Sequence, residues 1–324
     1  MEAKENVCGR VALAHREHYV IWTECGEVEA TLSGRLRTLQ YGLPCVGDWV
    51  LLREGGVIVE ILPRRTKLSR KEPGNAVREQ VLAANIDVLF VVSGLDQDYN
   101  LRRIERYLVV ARQSGARPIV LLNKADLQFD VEDWIRRTEE RLGSVPVIAV
   151  SALTGWGIER ARAQVQPGET AALVGSSGVG KSTIVNAFLE ENRQNTAPVR
   201  EHDQRGRHTT TRRELFVMPG NWFLVDTPGL REVRPWAGAG QVDETFPEIT
   251  ERARECRFRD CRHEGEPGCA VLAADLDPDH LQVYRKIRRE QDFLEREANV
   301  HLAIAERQRW KAMEKAQRKA YKSR

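Results

Sequence analysis

Ala171–Ile184 reads AALVGSSGVGKSTI. A short apolar run ends in Gly175, the residues Ser176, Ser177, Gly178 and Val179 follow, and Gly180-Lys181-Ser182-Thr183 opens an apolar periodic segment, Ile184 to Leu189. The order is strand, loop, helix. In the pattern G-x-x-x-x-G-K-[ST], glycines let backbone N–H groups close around a phosphate, Lys181 reaches the β- and γ-phosphates, and Ser182 is a ligand for Mg²⁺. The positive end of the helix adds to the attraction. A glycine-rich turn between strand and helix is the plainer reading, and the complete pattern favours nucleotide binding.

Composition bounds what surrounds this stretch. At 324 residues the chain is long enough for two or three domains. Its 41% hydrophobic and 30% charged residues are ordinary for a globular chain, and a net charge of +3 does not by itself point to nucleic acid. The N-terminal stretch MEAKENVCGRVALAHREHYV holds no apolar core beside a cleavage site. No apolar run approaches the ~18 residues of a membrane span. The expectation is a cytoplasmic monomer with no membrane partner. Cys8, Cys25 and Cys45 are scattered and receive no role, whereas Cys256, Cys261 and Cys269 cluster, which suits a metal in a reducing compartment better than disulfides.

Before the phosphate loop the chain has two textures. Val7–Leu13, His18–Thr23, Val28–Leu32, Asp48–Arg53 and Val57–Leu62 read as short strands bounded by glycine turns. Five strands in about sixty residues predict a small barrel, either of the oligonucleotide-binding (OB) type or an SH3-like one. The run Arg64–Lys71 is basic, which is solvated surface or a hint of RNA. From Glu79 apolar runs alternate with helical periods: strands at Ile86–Val92, Pro118–Leu122 and Val145–Val150, and helices at Leu101–Gln113, Val131–Leu142 and Ile158–Val165. This alternation predicts a mostly parallel, doubly wound α/β sheet, with ligands at the carboxyl ends of its strands.

Two of those ends carry readable chemistry. Asn123-Lys124-Ala125-Asp126 follows one strand, and Ser151-Ala152-Leu153 follows the next. Alone, N-K-x-D is a loop with a capping Asp; beside a phosphate loop it reads as a base site. The Asp126 carboxylate can accept from guanine N1–H and the N2 amine, groups that adenine does not present in that arrangement. Asn123 can brace the loop, Lys124 can lay its stem along the ring, and the Ser151-Ala152 backbone can donate to O6. Adenine would leave Asp126 unpaired, so guanine is favoured.

Beyond the phosphate loop, Arg200–Arg213 has no apolar period and reads as a mobile loop, within which Thr209-Thr210-Thr211 offers a hydroxyl for Mg²⁺ and the γ-phosphate. Trp222–Val225 reads as a strand ending in Asp226-Thr227-Pro228-Gly229, a Pro-Gly turn on its plainer reading. On the functional one, Asp226 would hold Mg²⁺ through water and the Gly229 amide would meet the γ-phosphate. Leu230 stands where many GTPases carry the glutamine that orients water. Hydrolysis by the isolated chain should therefore be slow. His208, beside the threonines, is the candidate to orient water once a partner orders the loop, the alternative being that it only packs or binds RNA.

In ordinary small GTPases the phosphate loop precedes the guanine-reading elements; here both precede it, so the GTPase domain is circularly permuted. With a barrel before it and a Cys/His cluster after it, the chain closely resembles the RsgA (YjeQ) family, circularly permuted GTPases acting in assembly of the small ribosomal subunit. The resemblance rests on V-G-D-W-V at Val46–Val50, L-S-R-K-x-P-G at Leu68–Gly74, E-Q-V-L-A-A-N-I-D at Glu79–Asp87, L-D-Q-D-Y-N at Leu95–Asn100, G-R-H-T-T-T at Gly206–Thr211, and the cluster itself. It implies Thr210 as the Mg²⁺-ligating threonine. Cys256-x4-Cys261-x-His263-x5-Cys269 suits tetrahedral Zn²⁺ with no open position, a structural site. The family pattern likewise implies zinc.

From His280 the chain is helical and charged, and after Ala305 it carries Arg307, Arg309, Lys311, Lys315, Arg318, Lys319, Lys322 and Arg324 against few acids. A solvated helix face is one reading, a basic arm for RNA phosphates the other, and the resemblance favours the second. The whole predicts an RNA-binding OB-type barrel (1–65), a permuted P-loop GTPase domain (66–235) and a zinc-binding helical domain with a basic C-terminal helix (236–324). The expected ligands are GTP or GDP, Mg²⁺ and one structural Zn²⁺. The expected partners are the small ribosomal subunit and its rRNA. The competing expectation is an RNA-binding module that uses guanine nucleotide as a structural or regulatory ligand.

Overall fold

The computed structural model describes residues 6–15, 18–38, 42–71, 79–189, 213–226 and 239–296. They divide into two compact units, one holding the described residues up to Ser69 and from Val81 to Asp226, the other those between Arg70 and Gln80 and from Ala239 onward.

The first unit begins with β1 (Val7–His15), β2 (His18–Thr23), β3 (Gly26–Leu32), β4 (Trp49–Arg53) and β5 (Val57–Ile61). Their order is β1-β2-β3-β5-β4, and β4 pairs back onto β1, so the sheet closes. The β3–β5 pair is parallel, which requires a crossover that a simple up-and-down meander lacks. The barrel is of the OB type. Alternate residues of each strand fill it: Val11, Tyr19, Ile21, Ala30, Leu32, Val50, Leu52 and Ile58, with Leu36 of the short helix α1 (Gly34–Arg37) added. The register of β1 shifts between Val11 and Leu13. Such a bulge bends a strand, and here the first half of β1 pairs with β4 while Leu13 and Ala14 pair outside the barrel with Glu214 and Arg213.

Two further strands, β6 (Lys67–Lys71) and β7 (Glu79–Ala84), form a separate pair. The basic strip is therefore partly strand, and its charges are partly engaged. Arg64 grips Asp48 with Nε and Nη2, both at 2.7 Å, Arg65 meets Asp87 at 3.3 Å, and Leu68 is buried.

The rest of the unit is a doubly wound sheet. Strands β8 (Val88–Gly94), β9 (Arg117–Asn123), β10 (Val147–Ala149) and β11 (Thr170–Gly175) are followed by β12 (Arg213–Met218) and β13 (Trp222–Asp226), in the order β10-β9-β8-β11-β13-β12. All pairs are parallel except β12–β13. Every residue of β8 is buried, as expected of a strand covered on both faces. Leu89 and Val91 face one core layer, packed with Ile104 and Leu108 of α2 (Leu101–Ser114) and edged by Trp134 and Ile135 of α3 (Val131–Leu142). Val88, Phe90 and Val92 face the other, with Ile158 of α4 (Ile158–Arg162) and Ile184 and Phe188 of α5 (Lys181–Phe188). The predicted helices and central strands are present; β12, an alternating segment next to a charged one, was not foreseen.

The second unit contains α6 (Ala239–Thr245), α7 (Pro247–Ala253), α8 (Ala270–Ala273) and a last helix, α9, over 278–296. Its core is small. Val242, Phe246, Ile249, Val271, Leu281, Tyr284 and Ile287 are buried, and Phe246 packs on His280 and Tyr284 at 4.8 and 5.6 Å between ring centroids. A core of this size is marginal without a further staple.

Candidate functional site

The phosphate loop connects β11 to α5 at the carboxyl edge of the sheet. Gly175 and Gly180 have φ of +153° and +92°, and a Cβ would lie 2.3 Å from the Val92 carbonyl oxygen at the first and 2.3 Å from Asn123 Nδ2 at the second. Only glycine meets both the backbone angle and the space. Val179 is fully buried and anchors the loop, while Ser177, Gly178, Ser182 and Thr183 are exposed along its mouth. Lys181 Nζ donates to the carbonyl of Gly175 at 2.7 Å and that of Ser176 at 2.5 Å, so the ammonium spans the loop from within.

The base-reading tetrapeptide stands at the end of β9. Asn123 is buried and bonds in two directions: Nδ2 donates to the Val179 carbonyl at 2.8 Å, and Oδ1 accepts from the Ala152 amide at 3.0 Å. One side chain thus ties the phosphate loop, N-K-x-D and the Ser-Ala turn together. Lys124 adopts a left-handed conformation, φ +66°, and Ala125 donates its N–H to the Val150 carbonyl at 3.1 Å. The buried Ser151 hydroxyl donates to Asp126 Oδ1 at 2.5 Å, and that carboxylate is exposed. Its remaining lone pairs face outward and can accept paired N–H groups of a planar base.

The Cys/His cluster lies between α7 and α8. Its four ligand atoms lie within 4.8 Å of one another. His263 Nδ1 is 3.6 Å from Cys256 Sγ and 3.4 Å from Cys269 Sγ, and those two sulfurs are 3.9 Å apart. Ligands of a tetrahedral zinc, at about 2.3 Å for sulfur and 2.0–2.1 Å for nitrogen, stand about 3.5–3.8 Å from each other, so the donor set fits. Desolvation, with Cys269 and Cys256 adding, pushes the Cys261 thiol up to about 12, and burial lowers the His263 imidazole below its ordinary value. A neutral imidazole is ready to ligate, and a bound cation would favour the thiolate form of the cysteines that hold it. Glu266 accepts the amides of Arg262, Glu264 and Gly265 at 2.9, 2.8 and 3.1 Å, which holds the ligand loop and draws its carboxyl down to about 2.

The family model described as RsgA GTPase matches residues 61–236. A curated protein from Opitutus terrae named Small ribosomal subunit biogenesis GTPase RsgA is 46% identical, the match covering 98% of this chain and 92% of that one. The chain belongs to the RsgA family. It is a GTPase, an enzyme that hydrolyses GTP. A protein of the same name from Methanosarcina acetivorans is 42% identical over 95% of this chain and 85% of its own. A second family model, described as 50S ribosome-binding GTPase, matches residues 170–318. Among solved structures, YjeQ from Thermotoga maritima superposes with a TM-score of 0.67 at 26% identity, covering 89% of this chain and 99% of that one. YloQ, a circularly permuted GTPase, gives a TM-score of 0.60 at 22% identity, covering 90% of this chain and 97% of that one, and shares the fold.

In this RsgA-family GTPase the permuted order is visible in the sheet, since β9 and β10 precede β11 in the chain and flank the same edge. Asp226 closes β13, its backbone paired with Glu214. His208, Thr210 and its neighbouring threonines, Gly229, Leu230 and the basic arm after Ala305 lie outside the described residues. Sequence reasoning missed one set of contacts. Asp96 meets Lys124 Nζ at 2.5 Å, and Arg103 donates to both Asp98 and the Ser176 hydroxyl. The signal was two acids, two residues apart, directly after a strand at the ligand-binding edge.

Proposed function

We propose that this GTPase acts in late maturation of the small ribosomal subunit and that its nucleotide state sets its affinity for that subunit. The observation that carries the reading is the Asn123 junction, which locks a phosphate loop and a guanine-reading carboxylate, Asp126, to one another at the correct edge of a permuted sheet. The relatives' names supply the partner, at up to 46% identity over nearly the whole chain. Lys124 and the Ser151-Ala152 turn complete the base site; the two amides of that turn donate to the Trp156 carbonyl and to Asn123 Oδ1 in the structure, so the Ala152 N–H meets O6 by turning from Asn123 when the base enters. Gly175 to Thr183 cradle the phosphates, with Ser182 and Thr210 on Mg²⁺ and Asp226 behind water. Cys256, Cys261, His263 and Cys269 hold one structural Zn²⁺. The barrel and the zinc-binding part contact rRNA, and the protein works in the cytoplasm. No helix among the described residues is long and apolar enough to cross a membrane.

With Leu230 in the glutamine position, intrinsic hydrolysis is slow and His208 orients the attacking water once the subunit orders its loop. The test is GTP hydrolysis by the purified chain alone and with small subunits, large subunits or free rRNA. Stimulation by small subunits, lost in His208→Ala with GTP affinity kept, supports the reading. Stimulation by large subunits alone would transfer the partner to the one in the second family description. A rate that none of them changes favours the RNA-binding module with a structural nucleotide.

A further inference from the structure

The loop Gly94–Asp98 lies between β8 and α2, and neither the phosphate-loop nor the base-reading motif includes it. It is rigidly held. Leu95 is buried, its amide donates to the Asn123 carbonyl at 2.7 Å, and its own carbonyl accepts from Gln128 Nε2. Trp134 Nε1 fixes Gln128 Oε1 at 3.1 Å. The Tyr99 amide donates to the Asp96 carbonyl at 3.0 Å, its hydroxyl lies 2.8 Å from Thr138 Oγ1, and its ring packs edge-on to Trp134 at 4.7 Å. From this frame two carboxylates project, one holding Lys124 of the base-reading tetrapeptide and the other holding Arg103 of α2, which reaches the phosphate loop.

Asp96 holds Lys124, the residue whose stem can lie along the base, and this hydrogen bond, with the Asp98 amide assisting, keeps the Asp96 carboxyl below its ordinary value. The contact is built into the backbone: a Cβ on Gly94 would lie 2.7 Å from Asp96 Oδ1 and 3.5 Å from Lys124 Cδ. Asp98 holds Arg103, on the first turn of α2, and the same guanidinium nitrogen reaches the Ser176 hydroxyl, 73 residues away in the phosphate loop. Side-chain exposures run from 28% to 40% across Asp96, Lys124, Asp98 and Arg103. Ion pairs this wet contribute little to folding stability. What they do fix is direction.

We infer that Gly94–Asp98 is a third nucleotide-positioning element of this GTPase, in which Asp96 sets Lys124 at the base end and Asp98, through Arg103, sets Ser176 at the phosphate end. The inference rests on the guanine-nucleotide reading of the site. Asp96 and Arg103 are positioning residues, and they act on opposite ends of the ligand. GMP keeps the base and loses the β-phosphate that the loop cradles, so GDP and GMP separate the two effects.

The experiment measures GDP and GMP affinity, by calorimetry and competition, for the full chain and for Asp96→Ala, Arg103→Ala and Arg103→Lys, with melting temperatures taken without nucleotide. Loss of a charge-assisted contact predicts that Asp96→Ala weakens both ligands by about tenfold. Arg103→Ala weakens GDP by about tenfold and GMP by no more than about twofold, and Arg103→Lys falls between it and the unsubstituted chain. Melting temperatures stay within a few degrees, as wet ion pairs require. Unchanged GDP affinity in both alanine variants overturns the inference, and so does equal loss of GDP and GMP in Arg103→Ala. Should Arg103→Ala melt far lower, Ser176→Ala, which deletes only the acceptor hydroxyl, must reproduce the selective GDP loss. Failure of the underlying reading looks different: the unsubstituted chain would then bind neither ligand.

Discussion

Asn123 is the side chain on which both ends of the nucleotide site converge, and its two hydrogen bonds are made in a buried place. Asn123→Ala leaves the Val179 carbonyl and the Ala152 amide without these partners, which costs about 1–3 kcal/mol for each buried group left unpaired. The expected result is a lower urea midpoint together with GDP affinity reduced at least about tenfold, read by denaturation and calorimetry. Asp126 tests the chemistry instead of the scaffold. Asp126→Asn replaces an acceptor by a group that both donates and accepts, so GDP should bind about a hundredfold more weakly while xanthosine diphosphate, whose C2 carbonyl needs a donor, gains affinity. Affinity for GDP that survives the change would remove Asp126 from base recognition.

At the scale of elements, the phosphate loop tolerates no side chain at Gly180, because its φ of +92° and the 2.3 Å approach to Asn123 Nδ2 both exclude one. Gly180→Ala should abolish detectable GDP binding, and retained binding would show that the loop can shift away from Asn123. Elements whose chemistry is local were legible in the sequence: the phosphate loop, Asn123–Asp126, the Ser151 turn and the four-ligand cluster each announce themselves within about fifteen residues. The barrel strands were legible from alternation between glycine turns. Pairing was not. Nothing in Leu13-Ala14 points to Arg213-Glu214, and β6 hides as a charged strip because Leu68, its one apolar residue, stands among Lys67, Ser69, Arg70 and Lys71 and shows no alternation by itself. The Arg103–Ser176 contact was equally hidden, joining residues that only the parallel sheet brings together. The small second unit yields its own prediction. With a core this modest, removal of metal by a strong chelator should unfold α6 to α9, read as lost helical circular dichroism, while GDP affinity stays within about twofold.

For the larger unit, the question is whether barrel and GTPase sheet are one cooperative body. Strand β12 pairs with barrel strand β1 on one edge and with β13 on the other, so backbone hydrogen bonds run without a break from barrel to phosphate-loop sheet. Arg10 reinforces the junction from inside. It belongs to β1, is nearly fully buried, donates to Thr170 Oγ1 at the start of β11 at 2.6 Å, and places its guanidinium 5.0 Å from the Phe223 ring of β13 and 5.6 Å from Trp49 of β4. Burial draws it down to about 10, so it stays charged at neutral pH, and its cost is offset only where these partners surround it. Trp22 of β2 adds a ring contact to the same Phe223, at 6.1 Å. Arg10→Met keeps much of the volume and removes the charge and its donors. Losing these bonds should destabilise the unit by about 1–3 kcal/mol. Because the junction is shared, native-state hydrogen exchange should report the same loss at barrel amides such as Val50 and at β11 amides such as Leu173. A loss confined to the barrel amides would mean that the two sheets open separately, and that pairing through β12 does not couple them.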